Sequence, residues 1–308
     1  EKNPSDEWKT SLGGQLYLDA RPDPNFRVFG KVGGSLEVSK ETSEQPLDLK
    51  LLELFSDFNY DNKVFFRAGK QNVKWGVGYF YSPADVISVG RIDPQHPDEE
   101  LEGPVALKVH YPRGSTNYYL YTLFDGVTEP SQIALAPKME FVFGGTEIGL
   151  GGFYQKSKAP RAMLTLSSSL GDFAVFGEAV VGKDTDEIFF QTTAGARYSH
   201  NDPDGLFNLS GAAQYFYDGE GHDTAKHHIG AMLGWNDILD SKFSALTRLN
   251  ANVSDKSGLV TNILSLPSIS KVSPSVGVTF AYADLGPTLE PFRSTTVFAA
   301  ITLGSGSF

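Results

Sequence analysis

The chain has 308 residues, 37 of them acidic and 26 basic, so its formal net charge is −11. It contains no cysteine, which excludes disulfide scaffolds, thiolate metal sites and cysteine nucleophiles. The acidic balance argues against a nucleic-acid partner, and no stretch approaches the roughly 20 apolar residues of a membrane-spanning helix.

From the N-terminus onward, the chain alternates between apolar and polar residues. The first ten residues are polar and acidic without a cleavable signal, as expected of a mature chain. The next clear segment, Asn25 to Ser39, places Val28, Val32 and Leu36 on one face and Arg27 and Lys31 on the other. This period of two predicts β-strands. In chain order the predicted strands are 9–19, 25–39, 47–60, 63–74, 104–112, 115–125, 137–144, 147–156, 160–168, 172–182, 187–199, 206–217, 226–235, 242–253, 258–267, 274–283 and 293–303.

Small clusters of Pro, Gly, Asn and Asp separate these segments, and no linker divides the chain. Residues 1–308 are therefore predicted to form a single all-β domain. The segments are about as long as a tilted membrane-spanning strand requires, and aromatic residues lie near their ends, as in interfacial girdles. We therefore expect a transmembrane antiparallel up-and-down β-barrel, with a soluble β-rich protein as the alternative.

The number of strands and their orientation follow from general rules for such barrels. Bacterial single-chain barrels have an even number of strands, so the seventeen segments predict about 16 strands, with 18 or 14 as alternatives. Short turns are expected at the periplasmic end and long connections outside. If all seventeen strands exist, this assignment places the N-terminus outside.

One motif adds a resemblance. Phe66 to Asp85 (FRAGKQNVKWGVGYFYSPAD) is a strand ending in a G-K-Q…W-G element, followed by an aromatic-proline loop. It resembles a pattern of bacterial outer-membrane porins, including the phosphate-selective porin-like group. The final residue, Phe308, is similar to the aromatic residue that ends many outer-membrane barrels. The resemblance implies a channel in the outer membrane of a Gram-negative bacterium.

The longest connection, residues 76–103, follows this motif, and a connection of this length is usually functional or disordered. The channel hypothesis folds it into the barrel as a constriction formed by Tyr79, Tyr81, Asp85, Arg91, Asp93, Asp98, Glu99 and Glu100. In the alternative, the loop lies outside and charged residues fill a plugged interior. The predicted inner face carries a basic wall opposite this loop, formed by Arg27, Lys31, Lys50, Arg67, Lys108, Arg161, Arg197 and Arg248.

These features predict passive diffusion of small hydrophilic solutes, either anionic or polar and neutral, past a ring of charge. Inward phenylalanines leave open a transporter of hydrophobic compounds, and a closed structural or partner-binding barrel is a further alternative. No nucleophile elbow, zinc-protease motif or P-loop occurs, so no enzyme, cofactor or metal site is predicted. The expected partners are small solutes and the lipid and lipopolysaccharide of the outer membrane; the oligomeric state is left open.

Overall fold

A computed structural model describes residues 9–39, 47–156, 158–184, 187–202, 206–220, 226–283 and 292–303. In these ranges the chain forms seventeen β-strands and two single-turn 3-10 helices, Pro130–Gln132 and Ile238–Asp240. No helix in these ranges is long and apolar enough to cross a membrane. Phe308 lies outside the described residues.

Each predicted segment corresponds to one strand, which confirms the all-β prediction. The strands are β1 (Lys9–Asp23), β2 (Phe26–Ser39), β3 (Leu47–Tyr60), β4 (Val64–Lys70), β5 (Val105–Arg113), β6 (Thr116–Leu123), β7 (Ala134–Phe143), β8 (Thr146–Gln155), β9 (Lys158–Leu170), β10 (Phe173–Asp184), β11 (Glu187–His200), β12 (Asn208–Asp218), β13 (His227–Asn236), β14 (Ser244–Asn252), β15 (Ser257–Ser265), β16 (Val272–Ala283) and β17 (Phe292–Leu303).

Every strand pairs antiparallel with the next strand along the chain, from β1–β2 to β16–β17. This is the up-and-down topology that the sequence predicts. In β3 one extra residue, Leu52, interrupts the register with β2 and forms a bulge. The bulge keeps Lys50 on the same face as Glu53, since a bulge residue shifts the alternation by one.

The number of strands differs from the prediction of about 16. The described residues contain seventeen strands, and no ladder joins β1 to β17 among them. The rule of even numbers applies to an antiparallel sheet that closes on itself. Successive strands alternate in direction, so all odd-numbered strands, including β1 and β17, run in the same direction. Two strands with the same direction cannot join by an antiparallel ladder.

The two faces of the sheet differ in chemistry. One face is apolar and exposed; among its residues are Leu12, Leu16, Leu47, Leu49, Ile188, Leu233, Val297 and Ile301. The other, which we call the inner face, carries Arg27, Asp57, Arg67 and Lys108 in one cross-strand row. The largest buried side chains lie where the connection between β4 and β5 packs on this inner face.

The sheet curls around this connection. Gln95 contacts Thr261 on β15, and Glu100 pairs with Lys31 on β2. Five residues span at most about 17 Å, whereas thirteen strand spacings in a flat sheet would separate β2 from β15 by about 60 Å. The two strands are therefore much closer together than in a flat sheet, which requires the sheet to curl.

Candidate functional site

The connection Gln71–Pro104 between β4 and β5, here called the inner segment, is the candidate site. The two ends of the inner segment are adjacent in space, because Gln71 N donates to Pro104 O at 3.0 Å. Trp75 and Phe80 are completely buried and pack in two separate apolar clusters on the inner face. The Trp75 cluster contains Tyr121, Met163 and Val180, and the Phe80 cluster contains Phe176 and Ala212.

The first half of the inner segment is held by buried polar side chains of three strands. Gln214 on β12 accepts hydrogen bonds at Oε1 from the backbone N–H groups of Tyr79 (3.0 Å) and Phe80 (2.7 Å). Its Nε2 donates to Tyr81 O at 2.5 Å. Glu178 on β10 and Lys138 on β7 bind further backbone groups of residues 75–84. The backbone of this half is thus satisfied by side chains rather than by a sheet ladder.

The second half reaches two distant parts of the sheet. Asn250 on β14 donates to Pro94 O at 2.7 Å, and Arg248 on the same strand donates to Gln95 O. On the other side, Glu100 forms its ion pair with Lys31 on β2. Residues 94–100 therefore contact strand β14 near one end of the sheet and strand β2 near the other end.

The structure places the predicted constriction residues in two different environments. Tyr79 is buried, and its hydroxyl donates to Asp98 at 2.8 Å. The Tyr81 ring stacks on Phe216 of β12, with centroids 5.3 Å apart. The remaining residues of the prediction, Arg91, Asp93, Asp98, Glu99 and Glu100, are exposed on the inner segment.

Asp85 is a predicted constriction residue whose carboxyl group has a raised pKa. Burial, reinforced by the charge of Glu178, raises its pKa from 3.8 to about 6, although hydrogen bonding lowers it in part. Ser88 Oγ lies 2.9 Å from both of its carboxylate oxygens. This carboxyl group can therefore change charge near neutral pH.

The basic residues of the predicted wall lie on the inner face by register, and most have acidic partners. Asp57 binds Arg67 through two hydrogen bonds of 2.6 and 3.0 Å and also pairs with Arg27. Arg161 pairs with Glu220 at 2.8 Å, and the exposed Lys50 pairs with Asp48 at 3.0 Å.

Three wall residues lack such a partner. Within the described ranges, Lys108, Arg197 and Arg248 have no acidic side-chain oxygen closer than 4.0 Å. Arg197 lies over the ring of Tyr79, 4.6 Å from its centroid. Lys108 lies directly opposite Arg67 in the β4–β5 ladder, so two cations face the interior side by side.

Three cavities lie along the inner face, and residues of the inner segment line two of them. A cavity of about 450 Å³ is bounded by residues 80–94 and by Arg161, Phe216 and His228. Another, of about 650 Å³, lies near the short turns and is lined by Arg27, Asp57, Arg67, Lys108 and His110. A third, of about 370 Å³, lies beside Val77 and Arg197. The inner segment thus lies between the cavity at residues 80–94 and the cavity beside Val77.

The sequence prediction missed the residues that anchor the inner segment. Neither Glu178 nor Gln214 is among the site residues that the sequence predicts. The available signal is that both polar side chains interrupt otherwise small or apolar strands, FAVFGEAVVG and GAAQYFY. Such a residue, when buried, requires hydrogen-bond partners. In the described parts of the chain, no group of three or more His, Asp or Glu residues could hold a metal ion.

No family model matches the chain, and no curated protein does. Solved structures do. Acinetobacter baumannii OccAB4 aligns with a TM-score of 0.56 at 10% identity over 95% of this chain and 91% of that one. Pseudomonas aeruginosa OccK2 (OpdF) in complex with glucuronate gives 0.55 at 11% identity over 97% and 98%. A variant of Rh. blastica porin gives 0.48 at 9% over 94% and 91%. The fold is that of bacterial outer-membrane porins.

Proposed function

We propose that the protein is a bacterial outer-membrane channel for passive diffusion of small hydrophilic solutes, with the inner segment as its constriction. The observation that carries this proposal is the position of the inner segment, which contacts β2 and β15 and lines one cavity with residues 80–94 and another with Val77. The exposed apolar face is suited to lipid. The mechanism is diffusion and requires no cofactor or bond chemistry.

A preference for anions is the finer part of the proposal. Four basic and two acidic residues line the 650 Å³ cavity: Arg21, Arg27, Arg67 and Lys108 against Asp23 and Asp57. The adjacent Arg67 and Lys108 side chains share no acidic partner that would neutralise both. Like charges placed directly opposite on neighbouring strands repel each other, so an anion between them would be stabilised. The glucuronate held by OccK2 is itself a small anionic solute.

The alternative of a transporter for hydrophobic compounds has less support. Several inward phenylalanines are covered: Phe55, Phe153, Phe176 and Phe189 are all less than 10% exposed. Arg67 lies 3.9 Å from the ring centroid of Phe55, and Arg161 lies 5.1 Å from that of Phe189. These rings support charged residues and the inner segment instead of lining an apolar path.

Ion current through planar bilayers tests the channel proposal, and a shortened inner segment tests the constriction. Val89 N and Glu102 O are 3.1 Å apart, so two glycines can replace residues 91–100 without straining the ends. We expect purified protein to conduct in discrete steps, and the shortened variant to show larger steps. Silent bilayers with folded protein would overturn the channel, and steps of unchanged size would overturn the constriction.

Reversal potentials in a KCl gradient test the anion preference. Lys108→Gln and Arg67→Gln should each shift the reversal potential toward cation preference, because each removes a positive charge beside the path. Lys63→Gln is the control, since this exposed lysine lies in the turn between β3 and β4. A reversal potential that stays the same in both wall variants contradicts the proposed preference.

A further inference from the structure

The W-G motif of the inner segment encloses one carboxylate of the protein itself. Glu178 Oε1 accepts hydrogen bonds from Val77 N (2.5 Å), Gly78 N (2.6 Å) and Ser82 Oγ (2.9 Å). Its Oε2 accepts one from Ala84 N at 2.8 Å. About 100 residues of sequence separate the acceptor from these donors. The segment thus forms a concave nest of donors around a single anion.

The neighbouring glycine explains why the motif has this form. A Cβ atom on Gly76 would lie 2.0 Å from Ser82 Oγ and 2.5 Å from Glu178 Oε1. Any side chain at this position would therefore occupy the space of the carboxylate or of one of its donors. The glycine is required by the close approach of the two chain segments.

The charge of Glu178 is stabilised by this nest alone. Glu178 is 3% exposed, and no basic side chain pairs with it within the described ranges. A buried carboxylate without a cation requires several donors, and these four donors use both of its oxygens as acceptors. The conformation of residues 76–84 and the charge at position 178 therefore depend on each other.

We propose that Glu178 is the positioning residue of the constriction. Its carboxylate holds the turn of residues 76–84 in place and so sets the width of the channel at the inner segment. This inference rests on the proposed channel function. Gln214 holds the adjacent backbone of residues 79–81, but it is neutral and supplies no anion. An amide at position 178 would keep one acceptor oxygen and turn an NH2 group toward the donors on the other side, so part of the nest would open while the strands stay paired.

Amide hydrogen exchange in detergent tests the templating without measuring current. In Glu178→Gln, exchange at Val77, Gly78 and Ala84 should accelerate roughly tenfold or more, while exchange in β13 to β16 stays unchanged. Glu147→Gln is the matched control, since in the described part of the chain this inner-face carboxylate accepts no hydrogen bond from the inner segment. Unchanged exchange in Glu178→Gln would overturn the proposal.

Chemical rescue separates templating from a loss of packing. In Glu178→Ala, added acetate should restore slow exchange at residues 77–84, whereas the neutral acetamide should not. If Glu178→Gln fails to fold, Gly76→Ala applies the same test from the other side of the contact, because it retains the carboxylate but blocks its approach. Equal rescue by acetamide, or none by acetate, would contradict a requirement for the anion.

Single-channel recordings link the nest to the path. Glu178→Gln should broaden the distribution of step sizes and raise their mean, and acetate should narrow that distribution in Glu178→Ala. If exchange accelerates but the step sizes stay unchanged, Glu178 does not position the constriction. If exchange responds as expected in a protein that never conducts, the proposed function fails while the nest around Glu178 stands.

Discussion

Lys138 on β7 makes both a hydrogen bond and a cation–π contact with Trp75. Its Nζ donates to the Trp75 carbonyl oxygen at 2.8 Å and lies 5.3 Å from the centroid of the indole ring. The same ammonium group pairs with Glu140 at 2.8 Å, and the Lys138 side chain is only 6% exposed. One buried cation thus joins the start of the inner segment to the wall of the barrel.

Replacement of this lysine should destabilise the docked inner segment. Lys138→Met removes the donor to Trp75 and leaves Glu140 without its partner, so we expect a loss of about 3 kcal/mol in the free energy of unfolding. Urea unfolding in lipid vesicles, followed by Trp75 fluorescence after Trp8 and Trp235 are changed to Phe, measures the loss. The exposed Lys63→Met should cost less than about 1 kcal/mol, and equal costs would refute the role of Lys138.

Asp85 should make stability depend on pH in the direction opposite to most acids. Because the pKa of Asp85 is raised from 3.8 to about 6 in the folded state, the fold holds this proton more tightly than the unfolded chain does. The contribution of Asp85 to the free energy of unfolding is therefore most favourable below pH 4 and falls as pH rises to about 6. Asp85→Asn should stabilise the protein by about 1–3 kcal/mol at pH 7 and by less than about 1 kcal/mol at pH 4.

Urea unfolding between pH 4 and pH 7 checks this behaviour. The control is Asp61→Asn, since Asp61 lies exposed in the turn between β3 and β4. A stability gain for Asp85→Asn that is the same at both pH values would show that the carboxyl group is not the cause.

Gly69 at the end of β4 should not tolerate a side chain. Its φ is +129°, and a Cβ atom would lie 2.2 Å from Leu54 O, a backbone atom that cannot move aside easily. We expect Gly69→Ala to destabilise the fold by about 2–4 kcal/mol. Gly14→Ala on β1 is the matched control, because nothing lies within 4 Å of its Cβ position. Equal urea midpoints for the two variants would contradict the strain at Gly69.

The contact between Gly230 and Phe80 offers a further test of how the inner segment packs. A Cβ atom on Gly230 of β13 would lie 2.5 Å from Phe80 Cγ, and the Phe80 ring is fully buried. Gly230→Ala should therefore displace this ring, cost about 1–3 kcal/mol and accelerate amide exchange at Tyr79 and Phe80. Gly211→Ala, whose Cβ would make an ordinary 3.5 Å contact, should change neither. Slow exchange at Phe80 in both variants would argue against this packing.

The sequence alone predicted the strands, because the peptide geometry of a strand places successive side chains on opposite faces. All seventeen segments and the inner face of Arg27, Lys31 and Arg67 follow from this local rule. Strand β4 is the clearest local error: it was predicted to reach residue 74 but ends at Lys70. Gly69 has a φ of +129°, the ladders with β3 and β5 end at Lys70, and the next residue, Gln71, bonds to Pro104.

The tertiary structure decided the path of the inner segment and the curl of the sheet. Its anchors, Glu178 and Gln214, lie about 100 to 135 positions from the backbone groups that they bind, so no local pattern indicates the pairing. The total charge of −11 likewise indicates nothing about which cations are neutralised: Arg67 has Asp57 beside it, whereas Lys108 does not. Alternation is a property of neighbouring residues, but the pairing of charges in the interior depends on how the whole sheet curls.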